Sequence, residues 1–163
     1  MFGFSGIVWS QTNRIPKDTM PQNDSFRTIQ WMADSFAIAI TKKKPNAILS
    51  LFPRFGTFLR YHRTLLPEMN MPNRATKYLA FKSSLVRKQK RMRKDMKIAS
   101  LSFSRAVVQK VKVDSSMTKD SIVFCKVRVY YKKRKTKFLV ECHGIKINNQ
   151  WFLLDGFLFD RRD

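Results

Sequence analysis

The chain has 163 residues, and its 33 Lys and Arg against 11 Asp and Glu give a formal net charge of +22. A hydrophobic content of 44% with 14 Phe excludes an intrinsically disordered chain, because disordered chains contain few aromatic residues. The excess of cations predicts attraction to a polyanion, such as RNA or an anionic envelope surface. No apolar run is long enough for a transmembrane helix, so we expect a folded domain without a transmembrane span.

The N-terminal segment MFGFSGIVWSQ is apolar and uncharged, and it resembles the second half of a secretory signal peptide. A basic region and a full-length apolar region are missing from it, so an apolar segment packed on the domain is the alternative. Residues 12–23 contain two Pro and no apolar period, which predicts a linker. We therefore expect a single domain over residues 24–163 of an exported, periplasmic protein, with a mitochondrial or ribosome-associated location as the alternative.

The segment after the linker has a helical pattern. Apolar residues recur at spacings of three and four, which predicts a helix over about 25–42 with Asp24 as its N-cap. Pro45 cannot continue this helix but can start another, so we expect a short second helix over 46–52.

A long basic helix is the next strong pattern. Residues 54–72 lack a regular period, and Asn73 then predicts the start of a helix over about 74–96. One face of this helix is heavily basic, and a second basic cluster spans residues 132–137. Such clusters can neutralise phosphates, although a solvated helix face is the simpler interpretation. The candidate polyanion-binding residues on the helix are Lys82, Arg87, Lys88, Lys90, Arg91, Arg93, Lys94 and Lys97.

The apolar period changes to two in the remainder of the chain, which predicts β-strands. Helices that precede a run of hairpin-connected strands predict an α+β fold, with N-terminal helices packed on a curved antiparallel meander. The expected strands cover residues 106–113, 122–132, 136–147 and 151–159.

The second hairpin brings the two cysteines together in the predicted register. A turn at Lys133-Arg134 places Cys125 directly opposite Cys142, and Lys126 opposite Glu141 on the other face. Directly opposed residues are close enough for a disulfide, which we expect in an exported protein. In a reducing compartment the same residues would be two buried thiols.

The third hairpin turns at Asn148-Asn149, because Asn tolerates positive φ. The predicted register places Asp155 opposite Cys142 in the concave interior, with His143 on the other face. Burial could then raise the pKa of this carboxyl group and make it an acid or base, while a hydrogen-bond acceptor is the simpler interpretation. Val140 is expected opposite Phe157, and Phe138 opposite Phe159. The candidate pocket residues are Asp155, Phe157, Val127 and Val140.

The outer face of the predicted sheet is too apolar to be fully solvated. We expect a protein partner or a homodimer to cover it, with cover by the N-terminal segment as the alternative. The candidate partner-face residues are Phe124, Leu139, Phe152, Leu154 and Leu158.

Two short motifs carry a resemblance to a known fold. NAILSLF at 46–52 and IKINNQWFLLDG at 145–156, with the order of helices and strands, resemble the cone-shaped nuclear-transport-factor-2-like (cystatin-like) fold. The last hairpin of that fold commonly has an apolar residue, a turn, Trp, apolar residues and Asp. The chain is also similar to small exported proteins of this type in Gram-negative bacteria. The resemblance covers about 24–160 and implies the fold rather than a function, because the family includes both enzymes and binding subunits.

The sequence contains none of the common catalytic or nucleotide-binding motifs. Two Cys and two His at unrelated spacings do not form a zinc site, so we expect no metal and no cofactor. We predict a non-enzymatic, exported accessory or binding protein that acts through an apolar sheet face or a pocket, as a subunit of a larger assembly. The alternative is a basic organellar or ribosomal subunit that contacts RNA. A small-molecule enzyme that uses Asp155 is the third hypothesis.

Overall fold

The structure is a computed structural model that describes residues 27–65, 71–117 and 123–162. The predicted leader, linker and cap over residues 1–24 lie outside the described residues. The described elements are the helices α1 (Ile29–Ala39), α2 (Asn46–Leu49), α3 (Phe55–Leu65) and α4 (Met71–Ile98), and the strands β1 (Val107–Met117), β2 (Val123–Lys133), β3 (Thr136–Ile147) and β4 (Gln150–Arg162).

The four strands form one antiparallel sheet in the order β1-β2-β3-β4. The helices precede the strands and pack on one face of this curved meander, which confirms the predicted α+β fold. Apolar residues from α1 and α4 meet the inward-facing residues of β2 and β3 in one large core. The opposite face of the sheet, which we call the outer face, carries most of the charged residues of β2 and β3.

Helix α1 presents an apolar side to the sheet, and its Met32 and Phe36 are fully buried. The helix begins later than predicted. Thr28 has an extended backbone, and its Oγ1 accepts a hydrogen bond from the Trp31 N–H at 3.0 Å. The prediction of a helix from residue 25 is therefore wrong, because Thr28 is the N-cap.

Helix α3 lies within the segment 54–72, for which we predicted no regular element. Its Phe58 ring packs against Tyr78 of α4, with centroids 5.2 Å apart. The Tyr78 hydroxyl in turn donates a hydrogen bond to the Pro53 carbonyl oxygen at 3.2 Å. Gly56 weakens the local helical propensity, so tertiary packing decides the conformation of this segment.

Two other helix boundaries also differ from the prediction. Helix α4 begins at Met71 and includes Asn73, because Pro72 is in the first turn, where its missing N–H removes no helical hydrogen bond. Helix α2 ends at Leu49, whereas we predicted a helix that continues to residue 52.

The β2–β3 hairpin turns one residue later than predicted, at Arg134-Lys135, where Arg134 has a φ of 56°. Moving a two-residue turn by one position shifts every cross-strand partner by two. Cys125 therefore lies opposite Gly144, and Cys142 lies opposite Val127. The predicted direct opposition of the two cysteines is wrong.

The predicted pairing of Lys126 with Glu141 is wrong for the same reason. Glu141 lies opposite Arg128, and Lys126 lies opposite His143. The opposite charges still meet on the diagonal, because Lys126 Nζ lies 3.4 Å from a Glu141 carboxylate oxygen.

The β3–β4 hairpin turns at Asn148-Asn149, as predicted, with φ values of 50° and 64°. Two positive φ angles are the requirement of the type I′ turn that joins twisted antiparallel strands. Gly144 lies opposite Leu153, in the predicted register.

Beyond Leu153 the register of β4 changes. Five positions separate Leu153 from Leu158, whereas three separate their partners on β3, so β4 contains two additional residues. Gly156, with a φ of +77°, lies in this irregular region. A Cβ atom at Gly156 would lie 2.8 Å from His143 Nδ1, so a glycine is required here by both conformation and space.

The irregularity changes the predicted partners in the last hairpin. Asp155 lies opposite His143 rather than Cys142, so the prediction that His143 is remote from it is wrong. The pairing predicted for Phe157 with Val140 and for Phe159 with Phe138 is also wrong: Val140 faces Phe159, and Phe138 faces Arg161.

Candidate polyanion-binding surface

The end of the sheet at the β2–β3 hairpin turn carries a row of three cations on adjacent strands. Lys132 of β2 lies opposite Lys137 of β3, and Lys137 lies opposite Arg162 of β4. All three side chains are exposed. We call these three residues the cationic row. Like charges that are directly opposed destabilise a sheet, so this arrangement needs a reason other than folding.

The two lysines of the cationic row, Lys132 and Lys137, form no ion pair with any carboxylate that the structure describes. In contrast, Arg162 Nε lies 2.9 Å from Asp160 Oδ2. Elsewhere on the same face, opposite charges are paired: Arg128 donates to Glu141 at 3.0 Å and also contacts Asp114. Opposite charges are thus paired in the middle of the sheet, whereas its end at the β2–β3 turn is cationic.

The loop between α4 and β1 adds to this end of the molecule. Lys133 Nζ donates a hydrogen bond to Ser102 Oγ at 2.6 Å, which joins the hairpin to the loop. Arg105 of the loop is exposed and has a φ of 60°. The basic end, as we define it, consists of Arg105, Lys132, Arg134, Lys135, Lys137 and Arg162, all of them exposed.

Two of the eight candidate cations on α4 form hydrogen bonds or ion pairs within the domain. Arg93 donates to the carbonyl oxygen of Ile40 at 2.8 Å and to that of Lys42, beyond the C-terminus of α1, and its guanidinium lies over the Phe103 ring. Lys88 forms an ion pair with Asp155.

The other six α4 candidates remain available at the surface to different degrees. Lys82 is half-buried, with its ammonium 5.4 Å from the centre of the Tyr78 ring. The five exposed cations are Arg87, Lys90, Arg91, Lys94 and Lys97. Lys97 is in the last turn of α4, so this set extends toward the basic end.

Asp155 lies at the surface beside α4 rather than in a concave interior. Partial burial raises the pKa of its carboxyl group, but hydrogen bonds from Lys88 and from the Gly156 N–H, with the charges of Lys88 and His143, lower the pKa below 3.8 overall. The side chain is therefore a carboxylate at neutral pH. This environment differs from the buried, raised-pKa acid that the pattern predicted.

The other candidate pocket residues belong to the core. Val127 and Val140 are fully buried on neighbouring strands. The Phe157 ring stacks on Phe36 of α1, with centroids 5.9 Å apart and planes within 7°. These three residues hold the sheet against the helices.

The two cysteines are buried free thiols in the structure. Burial raises the pKa of Cys125 to about 12, and burial with the neighbouring Cys125 raises that of Cys142 well above its ordinary value. Both groups are therefore protonated and weakly nucleophilic at neutral pH. The disulfide stays a prediction, without the direct opposition that motivated it.

Most of the candidate partner-face residues are at least partly buried within this one chain. Phe152 and Leu139 are buried, and the Arg27 guanidinium lies 5.0 Å from the centre of the Phe152 ring. Phe124 and Leu154 are half-buried, and among the five candidate partner-face residues only Leu158 is exposed.

The described residues contain neither a membrane-spanning helix nor a cluster of metal ligands. None of their helices has the length and apolarity needed to cross a bilayer. No group of three or more His, Cys, Asp or Glu among them could hold a metal ion.

Comparison of the chain with protein-family models, with curated proteins and with solved structures finds no match. The resemblance to the nuclear-transport-factor-2-like fold therefore stays a prediction from residues 46–52 and 145–156.

The sequence pattern revealed one part of this surface and missed another. The cluster 132–137 is visible as consecutive cations, and the turn places it at one end of the sheet. Arg105 and Arg162 were missed, because they join the cluster only through strand pairing and the loop contact of Ser102. The available signal was the Arg161-Arg162 pair that follows the last apolar residues of the chain.

Proposed function

We propose that this protein is a non-enzymatic binding domain that holds a phosphate-bearing polyanion against its basic end. The observation that supports the proposal is the cationic row, in which like charges face one another across three strands and neither lysine forms an ion pair with a described carboxylate. A bound polyanion would offset this repulsion. The opposed cations that destabilise this end of the sheet are therefore also the groups that would bind the polyanion.

The expected binding chemistry is counterion release. Each Lys or Arg that contacts a phosphate displaces a condensed cation, which makes the affinity fall steeply with salt concentration. The exposed cations of α4 continue the positive surface from Lys97 and would strengthen the attraction at long range. No described aromatic side chain is classed as exposed, so we expect contacts with phosphates rather than stacking on bases.

The test compares two double variants with the same change in net charge. Lys132→Gln with Lys137→Gln removes two members of the cationic row. Lys77→Gln with Lys146→Gln removes two cations from other places: Lys77 lies near the start of α4, and Lys146 lies at the opposite end of β3 from Lys137. Binding is measured by fluorescence anisotropy with a short RNA duplex over a range of salt concentrations.

The slope of log affinity against log salt concentration is negative. We expect its magnitude to be smaller in the row variant by roughly one to two, because each lost phosphate contact removes nearly one unit. The control variant should keep a slope close to that of the native protein. Equal losses in both variants would show attraction to the net charge rather than to a site, and would contradict the proposal.

The predicted exported accessory protein is a separate hypothesis. Among its candidate partner-face residues, Leu158 is the most exposed, so it is the position at which a charge should disturb assembly through the outer face most directly. Leu158→Lys tests it by size-exclusion chromatography of the native assembly.

A further inference from the structure

Exposed aliphatic side chains accompany the cations of the basic end. Four large apolar residues are exposed in the described part of the chain: Ile98 at 75%, Leu79 at 62%, Val107 at 60% and Leu158 at 59%. Ile98 ends α4, and Val107 begins β1, so these two residues border the loop that contains Arg105. Isolated exposed aliphatic residues are common on protein surfaces, but here their position relative to the cations is informative.

The strand pairing places Val107 at the basic end, and Ile98 lies at the end of the helix whose following loop contacts that end. Val107 lies opposite Lys132 and continues the cationic row onto β1. Ile98 follows Lys97 and is four residues from Ser102, to which Lys133 donates its hydrogen bond. Val107 therefore lies beside the cationic row, and Ile98 lies next to the loop that joins this end of the molecule.

This mixture distinguishes between possible polyanions. A phosphate backbone in water offers no apolar environment for Ile98 or Val107, and an exposed stacking surface for bases is not found among the described residues. An anionic bilayer offers both components: phosphate headgroups attract the cations, and the boundary with the acyl chains accepts aliphatic side chains. Long lysine stems can reach headgroups while their methylene groups cover apolar surface.

We infer that the polyanion is the anionic surface of a phospholipid bilayer, and that Ile98 and Val107 enter the headgroup region between the cations of the basic end. This inference rests on the proposed function, since it identifies the partner of the same surface. The protein would lie on the membrane surface through a small apolar contact and a larger electrostatic one.

The test uses the full chain with two kinds of vesicle and one nucleic acid. The vesicles contain phosphatidylcholine alone or phosphatidylcholine with phosphatidylglycerol as the minor component, and the nucleic acid is a short RNA duplex. Ile98→Ser with Val107→Thr removes the apolar contact and keeps every charge. Leu79→Ser is the matched control, because Leu79 is equally exposed but lies in the N-terminal half of α4.

We expect binding to the anionic vesicles and not to phosphatidylcholine alone, measured by co-sedimentation. Ile98→Ser with Val107→Thr should weaken vesicle binding by about tenfold, because apolar groups that leave water contribute to membrane affinity. The same variant should leave binding to the RNA duplex unchanged, and Leu79→Ser should change neither vesicle binding nor RNA binding.

The outcomes separate this inference from the proposed function. Salt-dependent binding of RNA without binding of anionic vesicles would overturn the inference and leave the proposed function standing. Vesicle binding that is equal in the native protein and the aliphatic variant would also overturn the inference, because charge alone would explain it. Failure to bind any of the polyanions would overturn both.

Discussion

Asp155 illustrates how the contacts of one residue decide its chemistry. The hydrogen bonds from Lys88 and Gly156 outweigh the effect of partial burial on its pKa, so the native state favours the carboxylate more than the unfolded chain does. A lowered pKa contributes stability above the unfolded value of 3.8, and this contribution is lost as the pH falls through the native pKa. The effect is small, because both partners of the ion pair are about half exposed.

We predict that Asp155→Asn lowers the free energy of unfolding at pH 7 by less than about 1 kcal/mol, because it removes an ion pair that water screens. The difference from the native protein should shrink as the pH falls below 3.8, where the native carboxylate also becomes protonated. Urea unfolding at several pH values measures it.

Asp95→Asn is the control for this prediction, since Asp95 is an exposed carboxylate of α4 for which the described residues provide no ion pair. A loss of stability in Asp155→Asn that persists unchanged at low pH would contradict the electrostatic explanation.

The strand β3 depends on a glycine at one position where its neighbours approach closely. A Cβ atom on Gly144 would lie 2.6 Å from the Met32 side chain, 2.7 Å from Cys125 Sγ and 3.1 Å from the Phe152 carbonyl oxygen. The Met32 side chain can move, but the backbone oxygen cannot do so without distorting β4. Helix α1 therefore packs on the sheet at a place where a side chain is missing.

We predict that Gly144→Ala destabilises the protein by about 1–3 kcal/mol, because it overpacks the contact between α1 and the sheet. Gly56→Ala is the matched control: nothing lies within 4 Å of its would-be Cβ atom, and Ala favours a helix, so the same substitution should leave stability unchanged or raise it by up to about 1 kcal/mol. Thermal unfolding of both variants measures the difference. An equal effect at the two positions would contradict the packing described for Gly144.

The distribution of charge over the whole molecule links stability to binding. The formal net charge of +22 opposes compaction, and the cationic row concentrates part of that repulsion at one end. A change that weakens polyanion binding at this end should therefore strengthen the isolated fold.

We predict that Lys132→Gln with Lys137→Gln raises the free energy of unfolding by up to about 1 kcal/mol at low salt, because it removes directly opposed like charges. The gain should decrease as salt screens the repulsion. Urea unfolding at low and moderate salt measures it, with Lys77→Gln and Lys146→Gln as the control of equal charge. The same gain in the control would assign the effect to net charge and not to the row.

The strand faces could be predicted even where the strand partners could not. The β2–β3 register is shifted by two residues from the prediction, and β4 contains two additional residues. Because side chains alternate with a period of two, both errors leave Val127, Val140 and Phe157 on the core face. The predicted pocket around Asp155 was wrong because of these errors, since the contacts of Asp155 depend on which residue lies opposite it and not only on the face of the sheet.

Local sequence alone determined the α+β order, the Asn148-Asn149 turn, the buried faces and the basic cluster at 132–137, because these follow from residue type and short-range period. Tertiary structure decided helix α3, the non-opposed strand positions of the two cysteines and the ion pair of Asp155 with Lys88. It also brought Arg162 and Val107 to the basic end, with Ile98 next to the loop that joins it, since strand register and loop contacts join residues far apart in the chain. Such long-range pairing is selected by the packing of the whole domain, which no local pattern encodes.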